Sequence, residues 1–146
     1  MIFRELRPDD YDQVYALWMS CRNMGFNNLD DSREGVERFL ARNPHTSFVA
    51  LEGDTLCGVI LSGHDGRRGY VYHMSVREEY RRQGIGKKLV EMSMDALKRE
   101  GINKAALLVF CRNETGNAFW EKMGFTARQD VKYRNRELSP LIRIDT

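Results

Sequence analysis

The chain has 146 residues, of which 42% are hydrophobic and 30% charged, values that predict one globular domain over residues 1–146. Its formal net charge of +2 argues against nucleic acid or an anionic membrane as a partner. No apolar run approaches the roughly 18 residues of a membrane span, and the first residues lack the apolar segment of a secretory signal, so a cytoplasmic location is expected.

Apolar patterns predict the following elements in chain order. Strands are predicted at residues 2–6, 46–51, 56–62, 69–76, 105–110, 126–133 and 138–144. Helices are predicted at residues 8–21, 32–43, 85–100 and 117–123. The polar residues 22–31 predict a loop, and Asp31 or Ser32 is a candidate cap for the second helix. The run 105–110 is continuously apolar, which is typical of a strand covered on both faces.

The three cysteines are odd in number, widely spaced and without a CxxC pair. Neither a disulfide framework nor a zinc site is therefore predicted, and we expect no metal. Cys111 could be imagined as a nucleophile, but the sequence shows no base near it, so we favour an inert buried thiol.

A basic loop joins the strand at 69–76 to the third helix. Gly84 and Gly86 lack side chains that would keep a ligand off the backbone, and the first N–H groups of a helix are unpaired. The positive end of the helix dipole and nearby cations complete an anion site suited to a phosphate chain. These cations are Arg77, Arg81, Arg82, Lys87 and Lys88. An ordinary strand-to-helix turn with solvated charges is the alternative for the glycine spacing alone.

Two common phosphate motifs do not fit this loop. A P-loop requires Ser or Thr after the lysine, but Lys88 follows Lys87. A dinucleotide-binding fingerprint requires a small residue three positions after Gly86, where Leu89 stands.

The loop resembles the acetyl-CoA loop of the GNAT superfamily of N-acetyltransferases, whose pattern is Arg/Gln-x-x-Gly-x-Gly/Ala. Arg81, Gly84 and Gly86 match this pattern, although Glu78 stands where many members carry proline. A second segment, residues 113–125, is similar to the asparagine, short helix and Glu-Lys-x-Gly-Phe ending of the family.

The resemblance covers essentially the whole chain and implies an α/β fold of the GNAT type. Its mixed, mostly antiparallel sheet should have six to seven strands and about four flanking helices. The fourth and fifth predicted strands, at 69–76 and 105–110, should form a splayed parallel pair.

The resemblance also implies the reaction: an N-acetyltransferase moves an acetyl group from acetyl-CoA, its cosubstrate, to a primary amine by direct transfer in a ternary complex. The implied cofactor contacts are Met74, Ser75, Val76, Arg81, Arg82, Gln83, Gly84, Ile85, Gly86, Lys87, Asn113 and Trp120. The acceptor, a small molecule or a protein amino group, is not specified, and a homodimer is common in the family. A non-catalytic acyl-CoA-binding sensor or regulatory module is the alternative function.

Proton transfer is where the chain departs from the family. Trp120 occupies the position of a tyrosine that protonates the leaving thiolate in many members, and Leu108 that of a glutamate base in protein N-terminal acetyltransferases. His73 is the candidate catalytic base, since imidazole is the side chain suited to proton transfer near neutral pH. A histidine hydrogen-bonded between sheet and helix, with water as the base, is the alternative.

Overall fold

The computed structural model describes all residues from Met1 to Thr146. The strands are β1 Ile2–Glu5, β2 Gly25–Asn27, β3 Phe48–Glu52, β4 Thr55–His64, β5 Gly69–Val76, β6 Ala105–Leu107 and β7 Arg143–Asp145. The helices are α1 Tyr11–Ser20, α2 Arg33–Arg42, α3 Ile85–Arg99 and α4 Glu114–Lys122. None of these helices combines the length and the apolar composition that crossing a bilayer requires.

Five strands form the main sheet in the order β1-β3-β4-β5-β6, and β2 pairs with β7 in a separate two-stranded sheet. All neighbours are antiparallel except β5 and β6, which are parallel and are the fourth and fifth strands of the sequence prediction. The expected α/β class, with a mostly antiparallel sheet, one parallel pair and four helices, is confirmed.

Two apolar clusters cover the two faces of the main sheet. On one face, α1 and α2 pack Leu17, Trp18 and Leu40 against the sheet. On the other face, α3 and α4 contribute Leu89 and Trp120. The helix periodicity read from the sequence therefore defines which side of each helix meets the sheet.

A β-bulge interrupts β5 in the middle of the strand. Val59 of β4 lies opposite Ser75, and Leu61 lies opposite Tyr72, so two residues of β5 face one residue of β4. His73, one of these two, has a φ of +49°, in the left-handed region that favours glycine.

The bulge corrects the predicted faces of β5. Strict alternation places Val71 on the face opposite to Met74 and Val76, but all three pack in the cluster beneath α3. The extra residue shifts the alternation by one position, which a pattern with a period of two does not reveal.

Four further predictions need correction. The 105–110 run forms a strand only over β6, and its side chains are partly exposed because β6 is the edge of the sheet. Residues 126–133 form no strand, and 138–144 contributes only β7. The predicted loop at 22–31 contains the short strand β2, which pairs with β7.

Candidate active site

The parallel pair opens into a cleft. β5 and β6 pair over only three positions, and the last pair is Val71 opposite Leu107. Beyond that point the two segments no longer pair. The cleft between them has a volume of about 490 Å³. Four residues predicted for the site line it: His73, Met74, Asn113 and Trp120.

The loop before α3 presents a row of free backbone donors. The first hydrogen bond of α3 runs from the N–H of Lys88 to the carbonyl of Gly84 at 3.0 Å. The N–H groups of residues 82–87 have no acceptor within the chain. Because the positive end of the helix dipole lies at the same place, the arrangement favours an anion.

The two glycines of this loop serve different purposes. Gly84 has a φ of +80° and open space where a side chain would lie, so backbone conformation alone requires glycine there. A Cβ on Gly86 would lie 3.3 Å from the ring of Phe119, so this glycine allows α3 to approach α4. Close approach of a ligand, the reason predicted for both glycines, is not needed to explain either of them.

Arg81 shapes the loop rather than projecting from it. Its Nε donates to the carbonyl of Val76 at 3.0 Å, and its guanidinium lies 3.9 Å from the sulfur of Cys21. The geometry thus gives Arg81, which the resemblance implied as a cofactor contact, a role in shaping the loop. Arg82, with a φ of +62°, has no carboxylate partner and is exposed.

His73 lies at the bulge with its ring between α1 and the loop before α2. Its Nε2 is 2.7 Å from Oδ1 of Asp31, and the ring packs against Phe26 and Trp18. Its backbone carbonyl accepts a hydrogen bond from the indole of Trp18 at 3.2 Å. The hydrogen-bonded histidine expected as the alternative is thus observed, and His73 is still one of the residues that line the cleft.

Ser75 and Val76, two further predicted cofactor residues, are not among the residues that line the cleft. The hydroxyl of Ser75 donates to the sulfur of Met24, and Val76 packs beneath α3. Any contact of these residues with a ligand in the cleft must therefore come from their backbone.

Asn113 caps α4. Its Oδ1 accepts a hydrogen bond from the N–H of Gly116 at 2.9 Å, its Nδ2 has no acceptor in the chain, and the residue lines the cleft. Cys111 is exposed and lines the same cleft, so the expectation of a buried thiol at this position is wrong.

No sequence pattern identified Asp31 or the tyrosines of the cleft as site residues. Tyr70 and Tyr72 stack with their ring centroids 5.8 Å apart, and Tyr133 joins them on the cleft wall. Burial, with the nearby Tyr70, Tyr133 and Asp30, raises the pKa of Tyr72 above its ordinary value, so its hydroxyl stays protonated at neutral pH.

Comparison with known proteins agrees with this geometry. Residues 11–125 match the model of the Acetyltransferase (GNAT) family. The chain belongs to this family. Acetyltransferase SG1711 of Sodalis glossinidius (strain morsitans) is 29% identical over 138 residues, which cover 94% of this chain and 96% of that protein.

Solved structures share the fold at lower identity. Ard1 from Thermoplasma volcanium has a TM-score of 0.75 at 19% identity, covering 86% of this chain and 82% of its own. A predicted acetyltransferase from Clostridium acetobutylicum, solved with acetyl-CoA, has a TM-score of 0.72 at 16% identity, covering 92% and 95% of the two chains. The expected family and the enzyme class are thereby confirmed.

Within this acetyltransferase, the two departures from the family pattern have clear positions. Trp120 is buried and makes edge-to-face contacts with Phe119 and Phe125. Its ring centroid lies 5.1 Å from that of each. Leu108 is 58% exposed just beyond the end of β6. Neither tryptophan nor leucine can serve as an acid or a base, so both positions lack one. No cluster of side chains suited to a metal ion is present.

Proposed function

We propose that this acetyltransferase moves the acetyl group of acetyl-CoA to a primary amine by direct transfer in a ternary complex, with His73 or water as the base. Acetyl-CoA is the cosubstrate. The observation that carries the proposal is the row of free N–H groups at residues 82–87 beside the cleft between β5 and β6. A diphosphate fits the row of N–H groups, and a slender thioester arm fits the cleft.

The proposed cofactor contacts follow from which backbone groups are free. The pyrophosphate lies on the amides of Arg82, Gln83, Gly84, Ile85, Gly86 and Lys87. The pantetheine arm extends along Met74, Ser75 and Val76 as an added strand, because β6 no longer pairs with β5 there. Asn113 supplies its Nδ2 from the opposite wall, and Trp120 forms the apolar floor.

The chemistry requires a neutral amine, a donor for the developing oxyanion and a departing thiolate. The backbone N–H of Met74, beside the bulge, is the proposed oxyanion donor. Since an indole N–H does not release its proton at neutral pH, Trp120 contributes packing only. A thiol with a pKa of about 8.5 leaves readily as thiolate, so catalysis does not depend on a strong general acid.

Thermal unfolding with and without acetyl-CoA tests the cofactor site. The wild type should show a melting temperature that rises with acetyl-CoA concentration, because the ligand binds only the folded state. Gly84→Trp should lose this rise, since the indole would cover the free amides. Its matched control is Gly53→Trp, at a hairpin glycine with a φ of +58° and equally open surroundings. Gly53→Trp carries the same backbone strain and should keep the full rise.

Release of CoA thiol with a panel of amines then tests turnover. Small amines and peptides with free amino groups belong in the panel, because both acceptor classes fit the proposal. Thiol release that depends on the amine supports acetyl transfer. Tight binding of acetyl-CoA without thiol release from any amine would favour the acyl-CoA sensor instead.

A further inference from the structure

A buried carboxylate holds the imidazole of His73. Oδ1 of Asp31 lies 2.7 Å from Nε2 of His73, and the two side chains are only 8% and 16% exposed. The two residues are 42 positions apart in the chain and meet because the loop before α2 folds over the bulge in β5.

Asp31 is itself fixed by contacts that do not involve His73. Its Oδ2 accepts a hydrogen bond from the backbone N–H of Asn27 at 2.8 Å. Its backbone carbonyl accepts one from the hydroxyl of Tyr11 at 2.7 Å. The carboxylate therefore has a defined direction before it meets the imidazole, and it presents one free oxygen to the ring.

This contact selects the tautomer of the neutral imidazole. An ionised carboxylate only accepts hydrogen bonds, so Nε2 must carry the proton and Nδ1 must carry the lone pair. Nδ1 has no hydrogen-bond partner in the chain, and no buried side-chain nitrogen or oxygen lacks one. Nδ1 therefore reaches solvent, and His73 is one of the residues that line the cleft.

We propose that Asp31 is a positioning residue, which holds His73 as the Nε2–H tautomer so that Nδ1 accepts the proton of the acceptor amine. The inference rests on the proposed function. The ammonium group of the acceptor gives one proton to Nδ1, and the resulting imidazolium donates its Nε2–H to Asp31. The neutral amine attacks the thioester carbon, the C–S bond breaks, and the thiolate takes the second amine proton. The products are the amide, CoA thiol and the proton held by His73, which water receives.

The surroundings of His73 contain no other group able to take over this role. Trp18 of α1 and Phe26 of β2 are the aromatic rings in contact with it, and neither titrates. Tyr72 on the same strand has its ring centroid 6.2 Å from that of His73. Tyr70 is on the same strand, and the other titratable groups that line the cleft are Cys111 and Tyr133. Asp31 is the carboxylate in contact with the ring.

Asp31→Asn is the decisive variant because it reverses the tautomer. The N–H of Asn27 requires an oxygen acceptor, so the new amide would direct its Oδ1 there and its Nδ2 toward Nε2 of His73. Nε2 then has to accept, and Nδ1 carries the proton and no longer acts as a base. We expect kcat to fall about 10²- to 10⁴-fold, the usual contribution of a general base, with little change in the affinity for acetyl-CoA.

Asp10→Asn is the matched control. Asp10 is also a nearly buried carboxylate, but it pairs with Arg4 and does not line the cleft. This variant should lose stability and keep its kcat. The kcat of His73→Ala should fall as far as that of Asp31→Asn. The kcat of the double variant should fall no further, since both changes remove the same function. Additive losses would indicate a merely structural Asp31 and overturn the proposal.

Nitrogen-15 NMR of labelled histidine gives a readout that does not need turnover. The wild type should show His73 as the Nε2–H tautomer, and Asp31→Asn should show the Nδ1–H tautomer. A wild-type Nδ1–H tautomer would overturn the role of Asp31 even in an active enzyme. If the tautomers are as expected but no amine releases thiol, the proposed function has failed, and Asp31 orients a histidine without a catalytic use.

Discussion

At the scale of single residues, His73 has three features that a regular strand residue does not have. Its backbone is left-handed, its carbonyl bonds to an indole of α1, and its ring bonds to a carboxylate. The sequence nominated His73 from its place on a strand that reaches the cleft. It had no means to nominate Asp31, because the contact between them depends on a bulge and a loop that no local pattern specifies.

A second buried carboxylate makes the stability of the protein depend on pH. Burial would raise the pKa of the Asp10 carboxyl, but two hydrogen bonds from Arg4 and one from the N–H of Arg7 outweigh it and lower that pKa below its ordinary value. The folded state therefore binds the proton of Asp10 more weakly than the unfolded state. The resulting stabilisation is present above the unfolded pKa and is lost as the pH falls through the folded pKa.

We expect Asp10→Asn to remove this dependence. The variant should be less stable than the wild type by about 1 kcal/mol near neutral pH, a value that allows for solvent screening of a pair near the surface. The difference should shrink as the pH falls through the acidic range, below the ordinary pKa of a carboxyl group. Urea unfolding at several pH values measures it. A difference that stays constant across this range would contradict the assignment.

At the scale of elements, the start of α2 explains how the loop that carries Asp31 is held. Ser32 caps the helix by accepting a hydrogen bond from the N–H of Gly35 at 3.0 Å, which confirms one of the two caps considered from the sequence. Gly35 lies against the preceding loop. A Cβ there would stand 2.3 Å from the carbonyl oxygen of Asp30 and 2.4 Å from that of Leu29. The helix therefore supports this loop through a glycine.

Gly35→Ala is expected to be destabilising although alanine favours helices. The added methyl group overlaps backbone atoms that cannot move aside cheaply, so we expect a loss of about 1–3 kcal/mol. Glu37→Ala, at an exposed position of the same helix, is the control and should change stability by less than about 0.5 kcal/mol. Urea unfolding measures both. Equal stability of Gly35→Ala and the wild type would show that the loop does not lie against α2 as described.

Element prediction succeeded where a long apolar period and a capping signal coincide, as in α3 with its left-handed Gly84 and Gly101 at the two ends. It failed for β2 and located β7 only in part. These two strands are three residues each and exist because they pair with one another between distant parts of the chain. Alternation alone also predicted a strand at 126–133, where no neighbouring strand offers a ladder. Long-range pairing decides such cases.

At the scale of the whole molecule, the C-terminus closes over the loop between α1 and α2. The N–H of Thr146 donates to the carbonyl of Met24 at 2.8 Å, and the N–H of Asn28 donates to the carbonyl of Ile142 at 3.1 Å. β2 and β7 pair between these two bonds. The last residues thus tie down the loop that precedes Asp31 and contributes Met24 to the cleft.

Deletion of residues 143–146 should loosen this loop and leave the main sheet intact. The amides of β2 and its flanking residues that donate to residues 143–146 would lose their partners, so their hydrogen exchange should accelerate while that of β3 and β4 stays slow. Acetyl-CoA should still raise the melting temperature, because the free amides at 82–87 lie elsewhere. Hydrogen exchange measured by mass spectrometry checks this. Unchanged exchange over 23–28 would contradict the role given to the C-terminus.

The bulge in β5 has a further consequence for how this chain can vary. If residue 73 were deleted, Ile60 would face Met74, and the pairs of Val59 with Ser75 and Leu61 with Tyr72 would follow in unbroken register. The sheet is therefore complete without His73, and both apolar faces would keep their residues. Loss of this one residue from the strand would therefore remove the imidazole while the register of the sheet and the filling of the core stay the same.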